Sequence, residues 1–179
     1  MSIRSRAGQI LKTSGYDDFR WLCGTQLPVR RWVRFKCRYG CPNYGRLGAC
    51  PPSAPSLDEC RELFLEYRHI VLIRLSATVE DLEQDAAWLR HVSRQLLALE
   101  RAIFLAGFSQ ALALFPGPCR LCDICTGERN SCRHPDEVRP SPEALGVDLF
   151  GAARRAGYDM RILTNQTEPM MRMAFMLVA

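Results

Sequence analysis

Four cysteines punctuate the stretch "GPCRLCDICTGERNSCRHP": Cys119, Cys122 and Cys125 at intervals of three, then Cys132 beyond a longer loop. Thiolates at such spacing hold metal, and the spacing bears on which metal. A single zinc ion gathers four ligands on a small tetrahedron, with thiolates under about 4 Å apart for a Zn–S bond near 2.3 Å. Zinc motifs therefore usually come as two separated pairs. A C-x2-C-x2-C triplet instead spreads successive thiolates around a larger object, as in bacterial-type ferredoxins, where a further cysteine followed by proline completes the set. Here Arg133, His134 and Pro135 follow the fourth cysteine, and the loop from Thr126 to Ser131 is long enough to return Cys132 to the same cluster. A [4Fe-4S] cluster on these four thiolates is the expectation, with zinc as the alternative. His134 is a candidate extra ligand, but four cysteines suffice, and a hydrogen-bonding surface role is expected for it.

A second group, Cys37, Cys41 and Cys50, lies in "KCRYGCPNYGRLGACPP" with C-x3-C-x8-C spacing. Prolines after Cys41 and Cys50 fix the backbone and remove a competing N–H donor. Three thiolates leave one position open. Cys23, in a loop, is a candidate fourth ligand. Cys60 falls on the apolar face of a helix and reads as core. The position can also stay free, so that a second cluster binds substrate or water as a Lewis acid. Tyr39, Tyr44 and Arg46 are then candidate proton donors or anion anchors. A zinc site or structural cysteines are the alternative here.

These loops need a scaffold. Alternation in "RWVRFK" (31–36) predicts a strand with Trp32, Val33 and Phe35 as its apolar members. Ser56 and Glu59 form a capping-box pattern opening a helix with Leu57, Cys60, Phe64 and Tyr67 on one face. "HIVLIRL" (69–75) and "QALALF" (110–115) predict buried strands. Between them Thr78 caps a long helix reaching Ala106, with Gly107 as its stop. Ser141 and Pro142 open a short turn, residues 148–156 make a helix closed by Gly157, and "YDMRIL" and "MMRMAFMLV" predict a hairpin around "TNQTEP". The methionines of the last segment read as strand core rather than a copper site. The result is a single α+β domain over 1–179: a small antiparallel or mixed sheet backed by helices, with two cysteine-rich metal-binding loops at one end. Along the chain this gives an N-terminal extension (1–30), a first cysteine loop (31–55), a helix–strand–helix–strand core (56–116), a second cysteine loop (117–140) and a helix with a terminal hairpin (141–179).

Nine cysteines with no apolar run long enough for a signal peptide or membrane span point to the cytoplasm, where thiols stay reduced. The net charge of +5 is uneven: residues 1–50 hold ten Lys or Arg against two Asp, while the remainder is slightly acidic. A basic first third suits an acidic redox partner protein. Nucleic acid, contacted by Trp21, Trp32, Tyr39 and Tyr44, is the less favoured partner. Arg120, Arg133 and Arg139 are placed to offset charge near the cluster sulfurs, and "EVRPSPEALGVD" to clamp the second loop.

No phosphate loop, dinucleotide fingerprint or nucleophile–base signature is present. Whether the chain is an enzyme therefore rests on the open position alone. Single-electron transfer through one or two clusters is the leading expectation, with an enzyme or a zinc-stabilised binding module as alternatives.

"KCRYGCPNYGRLGACPPSAPS" together with the segment from Leu99 to Tyr158 resembles a family of predicted metal-binding proteins of unknown function, over roughly residues 31–178. The resemblance implies metal binding, with iron–sulfur chemistry, through cysteines 37, 41, 50, 119, 122, 125 and 132, and implies little about a reaction. "RPSPEA" stands where the family pattern has "RPSMEA", and Cys23 and Cys60 lie outside that pattern.

Overall fold

The computed structural model describes residues 1–78, 81–163 and 168–179. Four strands form one antiparallel sheet in the order β1-β2-β4-β3: β1 (Phe19–Leu22), β2 (Ile70–Ala77), β3 (Leu112–Leu114) and β4 (Met170–Leu177). β2 and β4 are central and pair along their whole length, from Ile70 with Leu177 to Ala77 with Met170. Over Ile70–Ile73 and Met173–Leu177 both are apolar and buried on both faces, because each face is covered by helices there.

On one face Ile70, Leu72, Leu114, Met173, Phe175 and Leu177 meet α3 (Leu57–Leu65) and α5 (Leu149–Arg155) through Cys60, Phe64, Leu149 and Ala152. On the other, Val71, Ile73, Phe115, Ala174 and Met176 meet α1 (Ile3–Thr13) and α4 (Leu82–Leu105) through Leu11, Leu96, Leu99 and Ile103. Met173 and Met176 of β4 are thus core, with Met171 half-buried against it. Cys60 is buried with them, as its helical position implies.

The α+β architecture agrees with the sequence; several boundaries do not. Residues 31–36 are not a strand but the start of α2 (Arg31–Gly40). Trp32 and Val33 are adjacent, which breaks a period of two, and β1 and β4 already occupy both sides of β2. In the helix, Trp32 faces Lys36 across 5.1 Å and Phe35 faces Tyr39 across 5.8 Å, each four residues on. Residues 1–30 are an extension only in sequence, since α1 and β1 build the sheet and its second core. The long helix starts later than Thr78: Asp81 is its cap, accepting from the amides of Glu83 and Gln84 at 2.9 and 2.8 Å. Residues 158–163 are not a strand, so no terminal hairpin forms there, and most of its expected turn lies outside the described residues. Among the described residues, no helix is long and apolar enough to cross a membrane.

Candidate metal centre

Seven cysteines lie on two segments leaving the same end of the fold. α2 carries Cys37 in its last turn and Cys41 at its C-cap, and the irregular segment after it carries Cys50. The helix is aimed by its N-terminal approach. Val29 bridges Val147, the Arg30 amide donates to Gly146 O at 2.7 Å, and the Asp148 amide donates to Pro28 O at 2.9 Å. α2 is thereby seated against the short 3-10 turn Glu143–Leu145.

The second segment leaves β3 at Phe115 and returns at Pro140, where the Phe115 amide donates to Pro140 O at 3.0 Å. Two arginines hold it to α4. Arg90 donates to Arg120 O at 2.9 Å and to the Asp123 carboxylate at 2.6 Å. Arg139 makes a two-pronged pair with Glu100, at 2.9 and 2.6 Å, while Glu100 also accepts the Ala113 amide at 2.6 Å. Arg139 is therefore the clamp of the loop rather than a charge beside the sulfurs.

The two segments touch. Cys125 Sγ accepts from the amides of Gly127 and of Gly48, each at 3.5 Å, and the second of these comes from the other cysteine loop. Arg120 reaches across to Asn43 Oδ1 at 3.3 Å. Burial pushes the Cys50 thiol up to about 12. The neighbouring Cys41, Cys37 and Cys119 thiols add to the shift and Arg120 opposes it. Cys119 is raised by burial and then by Cys125, Cys132 and Cys122, against a favourable backbone hydrogen bond at Leu121. Cys122 is raised by desolvation, then by Cys125 and Cys132, with Arg133 and Arg90 opposing. Cys37 is raised by burial, then by Cys41, with Arg34 opposing and Glu143 reinforcing. Cys37, Cys41 and Cys50 line one cavity, and the Cys50 thiol also feels Cys119 of the second segment.

Among the described residues, no three or more His, Cys, Asp or Glu side chains close on one ion position. The chemistry of the donor set fits a thiophilic metal: thiols half-buried except for the exposed Cys41, amide donors on sulfur and nearby guanidinium groups. Cys23 is engaged elsewhere, its sulfur 2.9 Å from Thr25 Oγ1 beside a 3-10 turn. His134 Nδ1 is 2.9 Å from a Glu137 carboxylate oxygen, in keeping with the hydrogen-bonding role expected of it.

Two hollows adjoin the three-cysteine group. A cavity of about 190 Å³ is lined by Cys37, Cys41, Cys50, Tyr44, Glu143 and Arg172 among others. A groove of about 810 Å³ borders it through Cys37, Cys41 and Glu143, with Trp32, Phe35, Tyr39, Phe150 and Met160 on its apolar walls. Trp32, Phe35 and Tyr39 are 47, 56 and 72% exposed, so these aromatics are surface and not core. Trp21, by contrast, packs edge-on against His69 at 6.1 Å with Arg4 over its ring at 5.7 Å, and is committed to the fold.

Sequence reasoning missed Glu143. Its signal was proximity alone: it sits within "RPSPEALG", whose two prolines shape the turn facing α2. Burial raises its carboxyl, against its own amide, the Ser141 hydroxyl and Arg172.

The raised thiols carry a pH prediction. With Cys50 moved from about 9 to about 12, the folded metal-free chain keeps a proton that the unfolded chain loses, so its stability falls as pH rises through that window. Tyr16, raised by burial to about 12 from 10.0, adds a loss of the same sign. Urea midpoints of metal-free protein should fall steadily from about pH 9 to 12. In the metal-loaded form, where thiolates are already made, the Cys50 part of that fall should vanish, and loading should release protons.

A family profile described as "Predicted metal-binding protein (DUF2284)" matches residues 20–178. Comparison with the curated proteins and with the solved structures finds no match.

Proposed function

The chain belongs to this family of predicted metal-binding proteins, and on that premise we propose that it carries iron–sulfur clusters on its two cysteine groups and passes single electrons to or from a partner protein. The observation that carries the proposal is the contact of the two cysteine loops: the Gly48 amide of the first donates to Cys125 sulfur of the second at 3.5 Å, Arg120 of the second reaches Asn43 of the first at 3.3 Å, and the Cys50 thiol is raised by Cys41, Cys37 and also Cys119. Bound clusters would supply one-electron chemistry over a wide range of potentials. Cys119, Cys122, Cys125 and Cys132 would hold the first, and Cys37, Cys41 and Cys50 the second. The chain's own residues do the rest. The amides of Gly48 and Gly127 donate to Cys125 sulfur, which disperses thiolate charge. Arg120 beside Cys50, and Arg133 and Arg90 beside Cys122, offset the negative charge that thiolate ligation accumulates. The basic first third of the chain supplies a docking face for an acidic partner.

The test is iron, sulfide and zinc content of protein purified without oxygen, with EPR before and after dithionite. About eight irons and eight sulfides per chain, with signals appearing on reduction, are expected. One or two zincs without sulfide would leave a zinc-stabilised module and end the electron-transfer reading.

The groove beside Cys37 and Cys41 favours a second reading, an enzyme that binds a small molecule at the open metal position. A change in the EPR spectrum of the three-cysteine centre on adding small ligands would support it.

A further inference from the structure

The three-cysteine group lacks a fourth donor. Cys23 is occupied beside Thr25, and Cys60 is buried in the core, its sulfur turned to the Pro55 carbonyl at 3.8 Å. The side chain that does face the cavity is Glu143. It lines both the 190 Å³ cavity and the adjoining groove, each together with Cys37 and Cys41. Its Oε2 is shielded from solvent and has no hydrogen-bond partner. A buried carboxylate oxygen without a donor is costly to leave unpaired, and a cation is what would satisfy it. Arg172 lines the same cavity and its charge acts on Glu143, but its guanidinium donates to the Asp85 carboxylate and lies over Trp88 at 6.0 Å, and no hydrogen bond joins its unpartnered Nε to Glu143. The same cavity brings Glu143 together with the thiols of Cys37, Cys41 and Cys50, beside the hydroxyl groups of Ser141 and Tyr44.

We propose that Glu143 supplies the fourth ligand, a carboxylate oxygen, to the metal centre on Cys37, Cys41 and Cys50. This rests on the proposed cluster at those cysteines and adds its missing donor. An oxygen among sulfurs makes one metal position unlike the others. Carboxylate is the harder and more readily displaced ligand on a thiophilic metal. That position also borders the groove, so a molecule entering between Trp32 and Phe150 would meet the exchangeable side of the centre. The turn bearing Glu143 is held rigidly: its Ala144 amide donates to Ser141 Oγ at 3.2 Å, and Gly146 ends it at φ 81°.

The experiment is Mössbauer spectroscopy and iron analysis of anaerobically prepared, ⁵⁷Fe-loaded protein: wild type, Glu143→Cys, Glu143→Gln and Glu143→Ala. In the wild type, one iron of the three-cysteine centre should show a distinct doublet from oxygen ligation. Glu143→Cys should merge that doublet with those of the thiolate-bound irons. Glu143→Ala should release that iron on mild ferricyanide oxidation at least about tenfold faster than wild type, leaving a three-iron EPR signal. Glu143→Gln, close in shape, keeps the test open if the alanine variant folds poorly. Four identical spectra at full iron content would overturn the proposal while leaving two clusters in place. A Cys50→Ala variant that keeps every iron would instead remove the cluster itself from this group, and the Glu143 proposal with it.

Discussion

Gly48→Ala should strip metal from both cysteine groups while the sheet remains folded. A Cβ at position 48 would stand 2.8 Å from the Glu128 carbonyl oxygen and 2.9 Å from its carbon. Both are backbone atoms of the second loop, so no side-chain rotation relieves the clash. Gly48 is also where the loops meet, its amide donating to Cys125 sulfur. One methyl group therefore pushes the loops apart at the point where the two groups are neighbours. Overpacking of this kind costs about 1–3 kcal/mol, and here it falls on the loops rather than on the cores flanking β2 and β4. The expected result is a far-ultraviolet spectrum like wild type, with metal per chain at least halved in both groups. Metal content equal to wild type would mean that the contact of the loops is incidental to binding.

Glu100→Ala should give the largest loss of stability outside the core. Glu100 and Arg139 are only 14 and 17% exposed, and their pairing is two-pronged. Removing one member of such a pair leaves the other charged and poorly solvated, which costs about 3–5 kcal/mol. The Ala113 amide loses its acceptor at the same stroke. For a chain of this size, about 3 kcal/mol lowers the melting temperature by roughly 10 °C. Arg139 also donates to the Asp136 and Val138 carbonyls, so the base of the second cysteine loop should loosen. Pairing Glu100→Ala with Arg139→Leu should recover part of the loss, because no buried charge is then stranded. A loss under about 1 kcal/mol, or no recovery in the double variant, would show the pair to be an ordinary surface contact.

The sequence was legible where local physics decides. The capping box at Ser56 and Glu59 closes as expected, with the Ser56 amide 2.8 Å from Glu59 Oε2. The apolar runs of β2 and β4 lie in the sheet, where helices on both sides cover both of their faces. α2 was read wrongly because its aromatics, Trp32, Phe35 and Tyr39, are spaced three and four apart on a face that stays exposed, and a strand pattern in six residues cannot register that. β1 went unseen because "FRWL" is short and half-exposed, and its edge position follows only from its pairing with β2. At the candidate site, spacing grouped the cysteines. It could not bring Gly48 to Cys125, Arg139 to Glu100 or Glu143 to Cys37, since each of these pairings is made by the fold across many residues.

The position of β4 also has a consequence for how the protein is made. β4 joins β2 to β3, yet it is the last of the four strands to be synthesised. Both cysteine groups precede it. While the chain grows, every thiol is therefore present on an unfinished scaffold, with the inner edge of β2 unpaired and its apolar Ile70–Ile73 run uncovered. Pairings so distant in sequence close slowly, and open strand edges invite association with other chains. Metal delivery thus competes with aggregation and with oxidation of free thiols. The yield of soluble protein should depend on iron supply during expression as much as on the stability of the finished fold.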